Sequence, residues 1–451
     1  MLTYELKKSP GIPLYEALYR AIRGDILSGA LAAGEKLPSK RALAQNLEIS
    51  KITVEAAYNQ LLAEGYIVSR EKVGYFVERI HHQPAAEKLP VEREEMPAPQ
   101  LVDLTANGSA RFPFSAWSKL QREVMLDYGE KLLLPLPNRG IPELRQAIAE
   151  HLAGFRGMKI DPENILIGAG TDFLYNILVQ LLGRDKVYAL EEPGYDKTRR
   201  IYTAAGARCI CAPMDELGVV PEDLTDAQVL HISPSHHFPT GIVTPVSRRQ
   251  ELLRWAGTDK WVIEDDYDSE FRFHAHPVPA MQSLDRQGRV IYLNTFSKSL
   301  APSIRISYMV LPDSLMERFR RELAFYSCTV PSFEQYTLAR FISGGWFEKH
   351  INRMRKYYKS CRNRLVERLE ALEYAQKLTI QEKDAGLHFL VKVDTALSDE
   401  ELTAWCLERG VKIRTLSSYY HGPVPEQDRA CLVVNYSGLR DEELDGILPT
   451  V

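Results

Sequence analysis

The sequence predicts a multidomain α/β protein in which a small helical head with a terminal hairpin precedes a larger domain built mainly on a parallel sheet. Three observations predict this class. A chain of 451 residues is too long for one ordinary domain. Residues 12–77 contain three helical patterns and then an alternating segment, whereas later residues combine short apolar strands with helices. A content of 45% hydrophobic and 26% charged residues is typical of a globular protein.

The head begins with a helical pattern over residues 12–28, whose apolar side chains recur on one face. Ser39 ends a turn and can cap a short helix over residues 40–47. Ser50 ends the next turn and can cap a second helix over residues 51–64. Two short helices joined in this way predict a helix-turn-helix.

Residues 65–77 alternate like a hairpin with basic residues at its tip. A helix-turn-helix followed by a basic wing is a DNA-reading arrangement, in which the helix from Lys51 would enter the major groove. Residues 1–80 hold 11 Lys and Arg against 9 Asp and Glu, so DNA binding would depend on local clusters of charge. The residues that we expect at the DNA are Ser39, Lys40, Arg41, Ser50, Lys51, Thr53, Arg70 and Lys72.

Residues 81–100 contain four prolines among Glu and Arg residues and have no periodicity, which predicts a semi-extended linker. We therefore divide the chain into a DNA-binding domain at 1–80, this linker, and a second domain at 101–451. Beyond residue 316 the pattern predicts helices at 317–323 and 333–372. The last hundred residues alternate strands with helices, of which 441–447 is the final one.

Lys298 lies among hydroxyl residues, and Arg305 follows it by seven positions. A lysine whose pKa is lowered can form a Schiff base with the aldehyde of pyridoxal phosphate. Arg305 can bind two phosphate oxygens with its planar fork, and Thr295 or Ser297 can donate a further hydrogen bond. The alternative is a surface lysine in a serine-rich loop, which is the usual situation of a lysine.

Four acidic residues follow the apolar pair Val262 and Ile263, which indicates the end of a buried strand. A pyridoxal ring needs a carboxylate at its pyridine nitrogen and gains from a phenol at its ring hydroxyl. Asp265 and Tyr267 supply one of each and point the same way on an extended segment. A solvated acidic loop is the alternative.

Gly170 and Thr171 form a small-residue turn between a strand and a helix, where free N–H groups favour an anion such as the cofactor phosphate. Tyr195 follows a Pro-Gly turn and can stack on the pyridine face. His236 and His237 have no companion at metal-ligand spacing, so we expect no metal and assign them to cofactor support or loop packing.

The order of these motifs resembles the fold-type I pyridoxal-phosphate enzymes of the aspartate aminotransferase superfamily. The segments EEPGYD, SPSHHFPTG, IEDDYDSEF and TFSKSLAPSIRISYMVLP are closer still to the MocR/GabR group of transcription regulators. The resemblance implies a large domain at about 145–325 and a small α+β domain at about 326–451 that includes the N-terminal segment. It also implies roles for individual residues: Lys298 as the imine lysine, Asp265 as the pyridinium partner, Tyr267 at the ring oxygen, Tyr195 as the stacking ring, and Thr295 and Arg305 at the phosphate.

The head resembles the GntR winged-helix domain, whose hallmarks appear as Leu37-Pro38-Ser39-Lys40-Arg41 and Ser50-Lys51-Ile52-Thr53-Val54. Glu55 stands where many GntR proteins place an arginine that faces DNA, so their base preference does not transfer. The resemblance further implies a head-to-tail homodimer that presents two heads to an operator with repeated half-sites.

The leading hypothesis is a cytoplasmic, pyridoxal-phosphate-dependent transcription regulator in which an effector amine or amino acid displaces Lys298 by forming an external aldimine. A working aminotransferase with a DNA-binding head, or a sensor of pyridoxal phosphate itself, are the alternatives. Relatives that sense carboxylates place arginines where this chain has Lys197 and Ser418, and Lys197, Arg199, Arg200 or Arg414 could substitute. The six scattered cysteines and the lack of a long apolar stretch or signal peptide predict a cytosolic protein without a membrane partner.

Overall fold

The structure is a computed structural model that describes residue 4 and residues 13–79, 101–106, 108, 111–273, 278–381 and 386–439. The expected linker at 81–100 and the expected last helix at 441–447 lie outside the described residues. The chain divides into two compact units, Met1–Met96 and Pro97–Val451. Within the described residues, no helix combines the length and the apolar character needed to cross a membrane.

The first unit is a helix-turn-helix with a hairpin wing, as the sequence predicts. Ser39 accepts a hydrogen bond from the backbone N–H of Ala42 at 3.1 Å, and Ser50 accepts one from that of Thr53 at 3.0 Å. Each such cap stabilises a short helix by about 1 kcal/mol. The elements of this unit are α1 (Leu14–Ser28), α2 (Lys40–Asn46), α3 (Lys51–Ala63), β1 (Ile67–Arg70) and β2 (Gly74–Val77).

The core of the first unit forms where α1 and α3 pack together. Leu18 and Ile22 of α1 and Val54, Tyr58 and Leu61 of α3 are fully buried. These positions recur every three or four residues, so each helix keeps one apolar face inside and leaves the other for solvent or a partner.

The second unit contains the remaining elements. Its helices are α4 (Phe114–Tyr128), α5 (Pro142–Arg156), α6 (Thr171–Leu182), α7 (Asp196–Ala204), α8 (Val246–Ala256), α9 (Met281–Leu284), α10 (Phe296–Ser299), α11 (Asp313–Glu322), α12 (Ser332–Ser343), α13 (Trp346–Glu370) and α14 (Asp399–Glu408). Its strands are β3 (Val102–Asp103), β4 (Ile165–Gly168), β5 (Val187–Glu192), β6 (Arg208–Asp215), β7 (Gly218–Val219), β8 (Val229–Ile232), β9 (Trp261–Asp266), β10 (Val290–Thr295), β11 (Ser307–Val310), β12 (Leu378–Gln381), β13 (His388–Val393), β14 (Val411–Lys412), β15 (Arg414–Thr415) and β16 (Cys431–Asn435).

The large sheet of the second unit has the strand order β4-β11-β10-β9-β8-β5-β6-β7. The central strands β10, β9, β8, β5 and β6 are parallel, β11 and β7 pair antiparallel with β10 and β6, and β4 pairs antiparallel with β11. The predicted, mainly parallel sheet is therefore confirmed. The carboxyl ends of the parallel strands meet along one edge, which is where open α/β sheets bind ligands.

A second, antiparallel sheet has the order β12-β13-β16-β15. The early strand β3 pairs in parallel with β14, so residues 102–103 lie beside the C-terminal part of the chain. β3 and β14 form a separate two-stranded sheet, and the N–H of Asn435 in β16 donates to the carbonyl of Leu104, so this segment lies beside the smaller sheet.

One predicted helix is two helices in the structure. The sequence pattern predicts a continuous helix over 333–372, whereas α12 ends at Ser343 and α13 begins at Trp346. Gly344 and Gly345 separate them, and Gly345 has a φ of 70°, a conformation that glycine adopts without steric cost. Apolar residues continue on both sides of this break, so the sequence pattern does not reveal the turn.

Candidate functional site

A cavity of about 490 Å³ lies at the carboxyl ends of the central parallel strands. Nearly all of the predicted cofactor residues line it, although they come from five separate segments of the chain. The predicted residues that line the cavity are Thr171, Tyr195, Asp265, Tyr267, Thr295, Ser297, Lys298 and Arg305. Gly170 is not part of the lining but lies against Arg305.

Lys298 lies on the short helix α10, directly after strand β10. Thr295 caps this helix by accepting a hydrogen bond from the N–H of Ser297, and the hydroxyl of Ser307 donates to Thr295 at 2.8 Å. Burial lowers the pKa of Lys298 to about 8, while the carboxylate of Asp268 acts in the opposite direction. A larger fraction of this amine is therefore neutral near physiological pH than of an ordinary lysine, which makes it a better nucleophile.

Asp265 of β9 lines the cavity, and only one of its two carboxylate oxygens has a hydrogen-bond partner among the described residues. Its Oδ2 accepts a hydrogen bond from the hydroxyl of Tyr175 at 2.5 Å and lies 3.4 Å from Nε2 of His231. Nδ1 of His231 pairs in turn with the hydroxyl of Tyr202 at 2.8 Å. Its Oδ1 is buried and has no hydrogen-bond partner within the described part of the chain. A buried, unsatisfied carboxylate oxygen is costly, so this atom is suited to a cationic or protonated group of a ligand.

Tyr175, His231 and Tyr202 were not singled out from the sequence. His231 is the polar residue of the four-residue strand β8, near the carboxyl end of a parallel strand. That position is a signal for a functional residue, because buried strands of a parallel sheet are otherwise almost wholly apolar.

The other acidic residues of this segment do not form the solvated loop considered as the alternative. Glu264, Asp266 and Asp268 are all buried. Glu264 accepts hydrogen bonds from the N–H groups of residues 281 and 282, at 2.8 and 2.9 Å. Arg156 lies 3.2 Å from Asp266, and Nδ1 of His236 lies 2.8 Å from Asp268. Protein groups therefore balance the charges of these three carboxylates, although Oδ1 of Asp266, like that of Asp265, has no hydrogen-bond partner among the described residues; Asp265 is the member of the run that lines the cavity.

The guanidinium of Arg305 lies against the backbone at the start of α6. A Cβ atom on Gly170 would come within 2.0 Å of Nη2 of Arg305, and Gly170 has a φ of 91°. Nη2 of Arg305 lies 3.3 Å from Oδ2 of Asp172, which also pairs with Nζ of Lys197 at 2.7 Å. The N-terminus of α6 and two cations thus lie close together, an arrangement that favours an anion.

The two predicted aromatic residues have different surroundings. Tyr195 is about half exposed, and its ring meets that of Phe238 edge to face, with centroids 6.1 Å apart. The hydroxyl of Tyr267 lies 3.2 Å from Nδ1 of His236, and burial raises its pKa well above the usual value. His236 therefore supports Tyr267, whereas His237 lies 2.6 Å from the hydroxyl of Thr240 in its own loop. The residues that the structure describes contain no cluster suited to a metal ion.

The outer wall of the cavity is basic. Lys197, Arg199 and Arg414 line it together with Tyr419 and His421. The Ser418 hydroxyl donates instead to the backbone of Thr415 and is not part of the lining. Of the candidates for an effector carboxylate, Arg200 alone does not line the cavity, since it is exposed and pairs with Asp196.

The turn that carries Tyr195 is tied to the opposite side of the cavity by the Glu192 side chain and by the backbone of Gly194. Oε1 of Glu192 accepts hydrogen bonds from the N–H groups of His421 and Gly422, at 2.5 and 2.8 Å. The N–H of Gly194 donates to the carbonyl of Tyr419 at 3.0 Å. These contacts join residues 192–195, after strand β5, to residues 419–422, which precede strand β16.

In the first unit, the expected DNA-binding residues fall into two groups. Arg41, Lys51 and Lys72 are exposed, so their charges are available to a phosphate. The ammonium of Lys40 pairs with Glu55 at 2.7 Å and lies over the ring of Tyr75. Arg70 stacks over the ring of Phe76 at 4.5 Å, and the Ser39, Ser50 and Thr53 side chains take part in helix caps.

Comparison with known proteins gives both units relatives. Residues 99–449 match the family model of aminotransferase class I and II, and residues 14–77 match that of bacterial regulatory proteins of the gntR family. The chain is 39% identical over 432 residues to the uncharacterized HTH-type transcriptional regulator YdeL of Bacillus subtilis, which covers 94% of this chain and 93% of that protein. It is 33% identical over 458 residues to the probable rhizopine catabolism regulatory protein MocR of Rhizobium meliloti, covering 96% and 92%. A solved structure of a kynurenine aminotransferase of Pyrococcus horikoshii is similar with a TM-score of 0.67 and 25% identity, covering 77% of this chain and 89% of that one.

Proposed function

The chain belongs to the MocR-type transcription regulators, in which a gntR-family DNA-binding domain is joined to a class I and II aminotransferase domain, and we propose that it binds pyridoxal phosphate at Lys298 to sense an amine or amino acid. Members of the class I and II aminotransferase fold use pyridoxal phosphate. When bound, this cofactor supplies an aldehyde that condenses reversibly with amines.

The observation that carries the proposal is the unsatisfied Oδ1 of Asp265 in the cavity that Lys298 lines. A protonated pyridine nitrogen is a donor that would satisfy this oxygen. Tyr175 and His231 hold the other carboxylate oxygen and so fix the direction in which Oδ1 points. The Asp265 carboxylate would thus contact the pyridine nitrogen, and the Lys298 amine would bind the aldehyde at the opposite end of the ring.

The anion site at Arg305 fits the third part of the same molecule. A phosphate there would accept hydrogen bonds from the Arg305 guanidinium and from the N–H groups at the start of α6. Gly170 allows the guanidinium to lie directly on the backbone, which no residue with a Cβ permits. In the structure the Asp172 carboxylate pairs with the Arg305 guanidinium, so it would have to turn away for a phosphate to bind there.

The basic outer wall supports an effector that carries an acidic group in addition to its amine. Lys197 and Arg199 of α7 and Arg414 of β15 line one cavity. An amino acid would place its carboxylate against them while its amine competes with Lys298. That competition is a regulatory signal only if the ligand has different affinities for two states of the protein.

We extend the proposal to a homodimer on the basis of exposed apolar side chains. Large exposed apolar residues of the second unit gather on α4, in the turn after it, and after α11. They are Phe114 (76% exposed), Leu126 (78%), Leu133 (75%), Leu134 (62%) and Phe325 (75%). Exposed apolar side chains in such numbers are typical of protein interfaces, and a second copy of the same chain is the partner that would present two DNA-binding domains to repeated half-sites.

The proposal is tested by absorbance. Purified protein mixed with pyridoxal phosphate should develop a visible band that borohydride removes, and the Lys298→Ala variant should not develop it. Adding candidate amino acids with a keto-acid acceptor then separates the alternatives. A stable spectral change with altered DNA binding supports a sensor, whereas steady product formation supports an enzyme. DNA binding that changes with pyridoxal phosphate alone would identify the cofactor itself as the signal.

A further inference from the structure

The solvent-facing side of α3 carries an unusual pair of side chains for a helix that meets DNA. Val54, Tyr58 and Leu61 are turned into the core, so Ile52 lies on the opposite face and Glu55 lies on the flank beside it, with its side chain about half exposed. Ile52 is 77% exposed although it is a large apolar residue. Single exposed apolar residues are common on protein surfaces, but this one stands in the first turn of the helix that a helix-turn-helix places in the major groove.

Glu55 would ordinarily be repelled by the phosphates that line the groove. Here the ammonium of Lys40 lies 2.7 Å from Oε1 of Glu55 and balances its charge. Lys40 is itself held in place, since most of its side chain is covered and its ammonium lies 5.3 Å from the centre of the Tyr75 ring. The ion pair lowers the pKa of Glu55, which keeps the carboxylate ionised. The bond uses Oε1, and Oε2 remains as a second acceptor on a side chain with a fixed direction.

The chemistry of the two side chains matches two features of the major groove. An apolar side chain in the groove contacts the thymine methyl group, and a carboxylate accepts a hydrogen bond from the amino group of cytosine. Adenine also offers an amino group, but beside the N7 acceptor, which a carboxylate repels. Residues three apart on a helix are separated by a rise of about 4.5 Å, close to the base-pair step of about 3.4 Å.

We propose that Ile52 and Glu55 are specificity-determining residues that read a thymine methyl group and a cytosine amino group on neighbouring base pairs of each half-site. The inference rests on DNA binding by the gntR-family domain and goes beyond it by naming the bases. Lys40 acts as a positioning residue, since it orients and neutralises Glu55 instead of binding a phosphate.

The test is selection of binding sites from random-sequence duplex DNA by the full-length protein. Wild-type protein should enrich a thymine beside a cytosine in each half-site. The Ile52→Ser variant should lose the preference for thymine and the Glu55→Gln variant the preference for cytosine, each with the neighbouring preference intact. Because Glu55→Gln removes a negative charge, its affinity for unrelated DNA should rise while its discrimination against other bases at that position falls by at least about fivefold.

Two controls keep the result interpretable. Lys72→Asn, at the exposed tip of the wing, should weaken binding to all sequences alike and leave the base preferences unchanged. Replacing the enriched thymine by uracil removes only the methyl group, so wild-type affinity should fall about fourfold while that of Ile52→Ser stays the same.

Unchanged base preferences in both variants, or equal affinity of the wild-type protein for thymine and uracil sites, would overturn the inference. In that case Lys40 and Glu55 form only a structural ion pair, and Glu55→Gln would lower thermal stability without a change in the selected sequence. Failure of the wild-type protein to enrich any sequence is a different result, because it contradicts DNA binding itself and the inference with it.

Discussion

The hydroxyl of Tyr175 donates a hydrogen bond to Oδ2 of Asp265 across 2.5 Å, from helix α6 to strand β9. This contact fixes the carboxylate that faces Lys298 across the cavity, and it joins two segments ninety residues apart in sequence. The orientation of the predicted ring partner therefore depends on a residue outside the strand that carries it.

Removing the Tyr175–Asp265 hydrogen bond should destabilise the protein more than removing the neighbouring Tyr202–His231 hydrogen bond. A hydrogen bond to a charged group contributes about 1.5–3 kcal/mol, whereas a neutral one contributes about 1 kcal/mol. We expect Tyr175→Phe to lower the free energy of unfolding by the larger amount, and the matched variant Tyr202→Phe, which loses only the bond to His231, by the smaller one. Urea denaturation of cofactor-free protein measures both, and equal losses would contradict the assignment.

The reaction of Lys298 with pyridoxal phosphate should depend on pH with a midpoint near 8. Burial lowers the lysine pKa to about 8, so the neutral, nucleophilic fraction grows about tenfold per pH unit below that value and levels off above it. The initial rate at which the visible band forms measures this fraction. Asp268→Asn removes the carboxylate that raises the lysine pKa, so its midpoint should lie at lower pH. A midpoint near 10 in the wild-type protein would show that the amine is not desolvated.

A methyl group on Gly170 should weaken binding of the phosphate. The Cβ atom of Gly170→Ala would collide with the Arg305 guanidinium, so we expect the affinity for pyridoxal phosphate to fall by about tenfold or more, with little change for pyridoxal, which lacks the phosphate. Gly206→Ala is a matched control, because Gly206 also has a φ of 91° but its Cβ would lie 3.5 Å from the nearest side-chain atom. If both variants lost the same affinity for pyridoxal phosphate, backbone strain alone would explain the loss.

Arg414 should distinguish amino acids from simple amines. We expect Arg414→Ala to raise the concentration of an effective amino acid needed for the spectral change by about tenfold or more, because a charged hydrogen bond is lost. Simple amines should titrate as in the wild-type protein. Ser418→Ala is the matched control, since that hydroxyl is bonded to the backbone of Thr415. A uniform loss for both ligand classes would show that Arg414 supports the fold of the cavity instead.

A charge placed on the exposed apolar surface should dissociate the homodimer. Leu126→Asp would bury an unpaired carboxylate at the proposed interface, so the dissociation constant should rise on the order of 100-fold. Leu407→Asp introduces the same charge at a half-exposed leucine of α14, away from this surface in the sequence, and should leave association unchanged. Sedimentation equilibrium measures both, and a monomeric wild-type protein would exclude the interface.

Much of the fold and of the cavity lining could be predicted because the informative residues lie at or just after the carboxyl ends of strands. Asp265 is near the end of β9 and Lys298 follows β10, so chain order alone places both at one edge of a parallel sheet. The partner of a long basic side chain is harder to predict. Lys40, which we expect at the DNA, pairs with Glu55 in the structure, and no local pattern shows which way such a side chain turns.

Contacts between distant segments account for the rest. Arg156 balances Asp266 from a helix more than a hundred residues earlier, and His231 reaches Asp265 from the adjacent strand. Such partners are set by the strand order of the sheet, which the sequence pattern does not specify. The two-glycine break at Gly344 and Gly345 was missed because apolar periodicity continues through it.

The hydrogen bonds of Glu192 and Gly194 to residues 419–422 set a mechanical limit on the mouth of the cavity. Tyr195 on one side of the mouth and His421 on the other are connected through the Glu192 carboxylate and through main-chain groups, so the mouth cannot widen unless those bonds break together. Substitutions of the Tyr195 and His421 side chains would therefore change which chemical groups the cavity accepts. They would have much less effect on the size of the molecule that can enter it.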